Sequence, residues 1–288
     1  MSTSPSVRCR LITDSDFEAV ADLLVRGFPK RGREYWTRAL NLLQRRRVPE
    51  TCARYGYLLE VGKRPVGVHL LIFCSGAEQP GPGIRCHTSA WYVEPEYRSL
   101  GAMLASVATG LKYVTYLNST ADAQTWPMLE ALGYRRYSEG QFVAIPALSL
   151  GRQLKVAQLL QSDAHQCLSD YDLLRSHADG GCLALICETR DGPKPFVFRR
   201  RHIRYAPIGV MQLVYCRDTV DLVICAGPIG RFLLQRGATC VICDADAALP
   251  GMIGKFFPGK NLKFFKGPHK PRLNDLAFSE EIVLEGAA

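Results

Sequence analysis

This sequence has no apolar run near the ~18 residues that a membrane-spanning helix needs, so none is expected. Its first residues, Met1 to Val7, are short and polar and lack the apolar core of a secretory signal, which makes the cytoplasm the expected location. Histidine is scarce, at 6 residues, and none stands at ligand spacing from the C-V-I-C pair Cys240 and Cys243. A zinc site would need a second pair or two such histidines. A three-residue separation in an extended segment also turns the two thiols to opposite faces, so no metal is expected. The 11 cysteines are odd in number and irregular in spacing, which argues against a secreted disulfide framework. Cys74, Cys187 and Cys225 lie inside apolar runs and read as buried reduced thiols. There is no glycine-aromatic RNA motif and no helix-turn-helix signal, so nucleic acid is not an expected partner.

The chain does have ordinary globular composition: 288 residues, 47% hydrophobic and 22% charged. That length suits one large domain or two of about 140 residues. Basic residues outnumber acidic ones, giving a net charge of +9, with short runs at Arg45, Arg46, Arg47 and at Arg199, Arg200, Arg201. Such runs form either a solvated surface or a field that steers a polyanion.

Patterning in the first half alternates between strand and helix. Val7 to Thr13 alternates as a strand does, and Asp14 or Ser15 can cap a helix carrying Phe17, Val20, Ala21, Leu24 and Val25 on one face, stopped by Gly27. A second amphipathic helix runs from about Glu34 to Arg46. Tyr55 to Val61 and Val66 to Cys74 read as a hairpin, followed by a proline- and glycine-rich loop at 78–83 and a long strand, Ile84 to Val93. A helix over Ser99 to Leu111, a strand at Tyr113 to Asn118, a helix over Ala121 to Leu132 and strands within Tyr134 to Ile145 complete a mixed α/β sheet. Pro146 to Gly151 reads as a boundary between a domain at 1–148 and another at 149–288. Beyond it the element order partly repeats. A helical region spans Leu154 to His177, and a hairpin joins Cys182–Glu188 to Pro195–Arg201. Strands follow at Gly209 to Cys216 and Thr239 to Asp244 around a short helix at Ile229 to Gln235, and a last strand lies at Phe278 to Leu284. The aromatic, basic stretch Phe256 to Pro268 reads as a loop packed over the core.

The informative stretch is Val93-Glu94-Pro95-Glu96-Tyr97-Arg98-Ser99-Leu100-Gly101-Ala102-Met103-Leu104. A strand ends at Val93, Pro95 breaks its ladder, and a short turn enters a helix near Gly101. A helix N-terminus offers unpaired N–H groups and the positive end of a dipole to a pyrophosphate, and glycine lets a backbone approach closely. These residues resemble the acyl-CoA signature of the GCN5-related N-acetyltransferases (GNATs), V-x-P-x-[YF]-R leading into [RQ]-x-x-G-x-[GA]. Thr125 to Tyr134, closing in Leu132-Gly133-Tyr134, resembles the family's second motif, at a fitting distance.

The resemblance implies a GNAT fold, with a degenerate second GNAT-like lobe in the C-terminal half. It implies an N-acyltransferase that uses acetyl-CoA or another acyl-CoA as cosubstrate, with a small amine or sugar amine as acceptor. By position, backbone groups of Trp91, Tyr92 and Val93 would pair with the pantetheine arm, as peptides add to sheet edges. Arg98, Ser99, Leu100, Gly101, Ala102, Met103 and Leu104 would cradle the pyrophosphate. Asp122 stands where many members place an asparagine that also meets the coenzyme. An N–H near the same strand end would polarise the thioester carbonyl.

Besides Asp122, the sequence departs from the family in three places. Met103 replaces a small residue and narrows the phosphate loop. Leu129 stands where the acid tyrosine is usual, and Leu117 where some members carry a glutamate base. Glu94 and His87 are the substitute candidates for proton transfer, with Ser89 on the same face as His87. The basic loop Lys30, Arg31, Arg33 beside Tyr35 and Trp36 would line an acceptor pocket, with the second half completing the cleft. In the second half, Ala226 to Arg231 lacks the V-x-P lead, so no second coenzyme site is expected. Two alternatives remain open: a non-catalytic acyl-CoA-binding regulatory protein, favoured by Leu129, and a transferase whose donor is an acidic acyl carrier protein, favoured by the basic surface.

Overall fold

A computed structural model describes residues 6–74, 83–149, 153–159, 165–201 and 209–284. The expected loop at 78–83 lies outside these residues except for Gly83, and so does the end of the expected boundary at 146–151. Strand β1 (Val7–Leu11) leads through a 3-10 turn at Asp14–Asp16 into α1 (Phe17–Gly27) and α2 (Arg33–Arg45). Each helix buries one stripe, Val20, Ala21, Leu23 and Leu24 on α1 and Trp36, Ala39, Leu40 and Leu43 on α2. Each large apolar side chain so withdrawn from water contributes roughly 1.5–3 kcal/mol. That stripe rests on β2 (Gly56–Val61), β3 (Arg64–Cys74) and β4 (Ile84–Val93). Then come α3 (Gly101–Ala108), β5 (Val114–Asn118), α4 (Trp126–Ala131) and β6 (Arg135–Ala144).

The second half holds β7 (Val156–Gln158), α5 (Tyr171–Asp179), β8 (Leu183–Thr189), β9 (Gly192–Arg201), β10 (Gly209–Cys216), α6 (Thr219–Leu234), β11 (Ala238–Ala245), β12 (Gly254–Lys266) and α7 (Glu280–Val283). All twelve described strands join one mixed sheet in the order β1-β2-β3-β4-β5-β12-β6-β11-β10-β9-β8-β7. Read from either edge, the sheet passes through an antiparallel set, then a parallel pair with one helix between its strands: β4-α3-β5 from one side, β10-α6-β11 from the other. The centre is exchanged. β12, from the end of the chain, pairs with β5, while β6 pairs with β11. The sheet thus runs unbroken across residue 148.

Four segments differ from the sequence reading. Residues 154–177 hold a short strand and a helix beginning only at Tyr171, not one helical region. α6 begins ten residues before the expected Ile229, because Asp218 caps it through the Val220 N–H at 2.8 Å; Pro228 and two glycines hid that start. One of them, Gly230, is required by packing: a Cβ there would lie 2.1 Å from the Ala147 nitrogen. The stretch 256–268 contains most of β12, the central strand. Its pairing with β6 jumps between Pro258 and Lys263, and that interruption reads in sequence as a loop. The expected last strand is instead a turn and α7, with Leu284 buried in the α1–α2 core.

Candidate functional site

β4 and β5 are paired in parallel only from Ile84↔Val114 to His87↔Leu117. Beyond this the two strands part and leave residues 88–93 of β4 along a fork. The Thr88 hydroxyl donates to the Leu117 carbonyl at 3.1 Å and pins the root. Ala90 has φ +27° and is the unpaired residue between the Leu70–Ser89 and His69–Trp91 partners. It is a β-bulge, which sharpens local twist and re-aims the strand.

The direction of the backbone follows from one bond. The Glu94 N–H donates to the Val66 carbonyl at 2.8 Å, on the β3 side. Because N–H and C=O alternate sides along a strand, Tyr92 also faces β3, and Trp91 and Val93 turn theirs into the fork. Among the described residues, no backbone group from outside the sheet ladder pairs with residues 88–93 except through Glu94 and β3. Of the three strand residues expected to meet an arm, Trp91 and Val93 therefore have groups free to do so. Tyr92 instead serves by packing: its ring covers Gly27, where a Cβ would come within 2.4 Å of it.

Past Val93 the chain winds a 3-10 turn at Pro95–Leu100 and enters α3 at Gly101. Glu96, Arg98, Ser99, Ala102 and Met103 are exposed, while Gly101 and Leu104 are buried. Met103 points to solvent, 39% exposed, rather than into the loop as expected. The bare-amide cradle needs a correction as well. The Tyr97 N–H is bonded to the Glu94 carbonyl and the Gly101 N–H to the Arg98 carbonyl, so these donors are spent within the turn. Such 3-10 bonds are the weaker kind. α3 has neither a side-chain cap nor an acidic residue in its first turn. Asp122, also exposed, leads a short 3-10 turn before α4 at the end of β5.

The two expected proton carriers are placed poorly for that work. Glu94 is only 5% exposed, and its two carboxylate oxygens are held by Arg26 at 3.0 Å and Arg64 at 2.7 Å. It ties the end of α1 to the β2–β3 hairpin. Glu94→Gln is expected to cost about 1 kcal/mol in a denaturant titration, because both guanidiniums are half-exposed and screened, and to leave coenzyme affinity unchanged. His87 is buried, and neither ring nitrogen makes a well-formed hydrogen bond. Burial, with Arg85 nearby, pushes its pKa down to about 3, despite a weak opposing pull from Asp275 and the Ala277 backbone. A base so far below neutral pH has little drive to take a proton. Leu129 packs in the core against α3 and β12 neighbours and offers no acid.

Several polar groups lie at the fork, and of these Lys263 is the one that the sequence does not announce. Ser89 Oγ on β4 and Asn118 Oδ1 at the end of β5 are buried with no partner among the described residues. Each such orphan costs about 1–3 kcal/mol. Lys263, on β12, is wholly buried, and its Nζ donates to the Ser119 carbonyl at 2.6 Å, fixing the chain where β5 leaves the sheet. Its short context, Leu262-Lys263-Phe264, carries no cue of burial. No cluster of three metal-ligating side chains occurs among the described residues, and no described helix is long and apolar enough to cross a membrane.

No protein-family model matches the sequence, and no curated protein matches it either. Solved structures do. A GCN5-related N-acetyltransferase from Anabaena variabilis ATCC 29413 superposes with a TM-score of 0.59 at 9% identity, over 91% of this chain and 72% of that one. A GCN5-related N-acetyltransferase from Kribbella flavida gives 0.55 at 15% identity, over 91% and 71%. A GCN5-related glucosamine N-acetyltransferase region of a fungal multi-domain GH3 β-N-acetylglucosaminidase gives 0.56 at 12% identity, over 92% of this chain and 38% of that one. The forked sheet, the strand–turn–helix at its mouth and these superpositions agree: the chain has the fold of the GCN5-related N-acetyltransferases.

Proposed function

We propose that this chain is an acyl-CoA-dependent N-acyltransferase with one coenzyme site, in the fork between β4 and β5. The observation that carries this reading is the edge of residues 88–93 left unpaired by β5, whose Trp91 and Val93 N–H and C=O groups turn away from β3 into the fork. A linear arm bearing amides completes such an edge as a strand would. Arg98 and Ser99 are exposed at the turn, where a diphosphate would bring negative charge to the positive end of α3. The second half is a degenerate copy of the first and supplies a wall of the acceptor side. A crevice of about 230 Å³ lies between the halves, lined by Leu42, Arg46, His177, Phe278 and Val283.

The chemistry asks little of the side chains. A neutral amine attacks the thioester carbonyl, the C–N bond forms, the C–S bond breaks, and the amine's proton ends on the departing thiolate by way of water. An N–H in the fork polarises the carbonyl, and placement supplies much of the remaining rate. The acyl group is acetyl and the acceptor a small amine or amino sugar; the likeness to the fungal glucosamine N-acetyltransferase region supports that class.

A second reading, a non-catalytic acyl-CoA-binding protein, is favoured by Leu129 and by the ion-paired Glu94. Thiol release separates the two. With saturating acetyl-CoA and a pool of amines and amino sugars, the transferase reading expects CoA to appear at least ~10-fold above the amine-free rate, a barrier difference of about 1.4 kcal/mol. Binding of acetyl-CoA with no amine-dependent release would establish the regulatory reading instead. A demand for a pantetheine held on an acyl carrier protein would replace the donor.

A further inference from the structure

The second parallel pair forks as the first does. β10 and β11 are paired from Gly209 to Gln212 and then part, leaving residues 213–216 of β10 along a gap. β10 also carries a bulge, at Val214, as β4 does at Ala90. This second fork is full. The Leu276 N–H donates to the Val214 carbonyl at 2.8 Å, the Cys216 N–H donates to the Asn274 carbonyl at 3.1 Å, and Asp275 bridges to Tyr215 in antiparallel sense. The other wall is met by the Asn274 side chain. Its Oδ1 accepts from the Asp244 N–H at 2.7 Å and its Nδ2 donates to the Asp244 carbonyl at 3.0 Å. A primary amide thus completes β11 in the manner of a neighbouring strand. Asn274 is fully buried with φ +57°, a left-handed conformation that asparagine tolerates better than most residues.

The helix that follows the second fork is closed as well. α3 has no side-chain cap and no acidic residue in its first turn. α6 is capped by the Asp218 carboxylate, which accepts from the Val220 N–H at 2.8 Å, and carries Asp221 in its first turn. Asp218 takes the donor that a diphosphate would use and sets a negative charge in its place, while Asp221 is ion-paired with Lys194 at 2.9 Å.

We propose that the β10–β11 fork is a second slot of the coenzyme-binding design that the chain fills with its own groups: residues 274–276 lie where an arm would lie, and Asp218 stands where a phosphate would stand. The chain then holds one coenzyme, and its second half is a scaffold that cannot open to a ligand. The identification of the slot rests on the coenzyme reading of the first fork; the occupancy by 274–276 does not.

Two readouts on the full chain test this. Calorimetric titration with free CoA should give one site per chain. Amide exchange should show Cys216, Asp244 and Leu276 protected, equally with and without CoA. Asn274→Gly keeps the left-handed backbone and removes the side chain, so the Asp244 amide should exchange roughly tenfold faster or more, with CoA stoichiometry still one. Two CoA sites in the wild type would overturn the proposal, and so would loss of protection at Cys216 and Leu276 on adding CoA. If CoA fails to bind at all, the coenzyme reading of both forks falls, and the exchange data still decide whether 274–276 closes the second.

Discussion

Asp275→Ala is expected to destabilise the chain by about 3–5 kcal/mol in chemical denaturation, because it strands a buried guanidinium. The Arg85 Nη1 donates to the Asp275 carboxylate at 2.8 Å and its Nη2 to the Asp275 carbonyl at 3.0 Å, with both side chains largely hidden. Arg272 adds a third contact at 3.1 Å from a half-exposed position. Arg85 stands on β4 where that strand is still paired with β5, and Asp275 stands on the segment that fills the second fork. One ion pair therefore ties the root of one fork to the filling of the other. Burial alone would raise the Asp275 carboxyl; Arg85 and Arg272 outweigh it and hold it below the usual carboxylate range. A depressed acid contributes its stability in full above its unfolded value of about 4 and loses it as pH falls through the lower folded value. Wild-type stability should accordingly drop as pH falls from about 4 to lower values. Asp275→Asn should lack that part of the drop while being less stable at neutral pH. Equal stability of wild type and Asp275→Ala at neutral pH would show that the pair holds nothing together.

Gly101→Trp should lower CoA affinity by at least ~100-fold, about 2.7 kcal/mol, while the apo protein still melts cooperatively. A Cβ at Gly101 would meet only the Trp91 and Val93 side chains, at 3.6 and 3.8 Å, which is ordinary contact. Gly101→Ala should therefore fold and bind nearly as the wild type does. An indole is far larger than that contact allows and must push aside the Trp91 and Val93 side chains, which stand between the turn and the fork. The pair of variants separates a need for space at this point from a need for glycine's backbone freedom, since Gly101 is helical with φ −59°. Unchanged affinity in Gly101→Trp would remove the turn from the site.

Much of the first half is legible in the sequence because its apolar periods are clean and its punctuation is strong. Ile84–Val93 and its proline stop are read directly from the sequence, and the helices α1 and α2 end within a residue or so of their expected limits. The second half is harder. Pro228 lies inside a helix whose start is fixed by Asp218, and β12 carries a jump in register that looks like a loop. Long-range partners decide the remaining cases. Nothing adjacent to Glu94 in sequence announces Arg26 and Arg64, and nothing beside His87 announces the burial that depresses it. The exchange of β6 and β12 between the halves is likewise a matter of which strand finds which edge, which local pattern does not encode.

The central claim, that an acyl-CoA arm lies against the edge of β4 left unpaired by β5, is tested most directly by assigning the backbone amides of Trp91 and Val93 and following their exchange as CoA is added. Both should become protected at one equivalent of CoA, while Tyr92, which faces β3, changes little. Saturating CoA that leaves Trp91 and Val93 exchanging as in the free protein would contradict the claim.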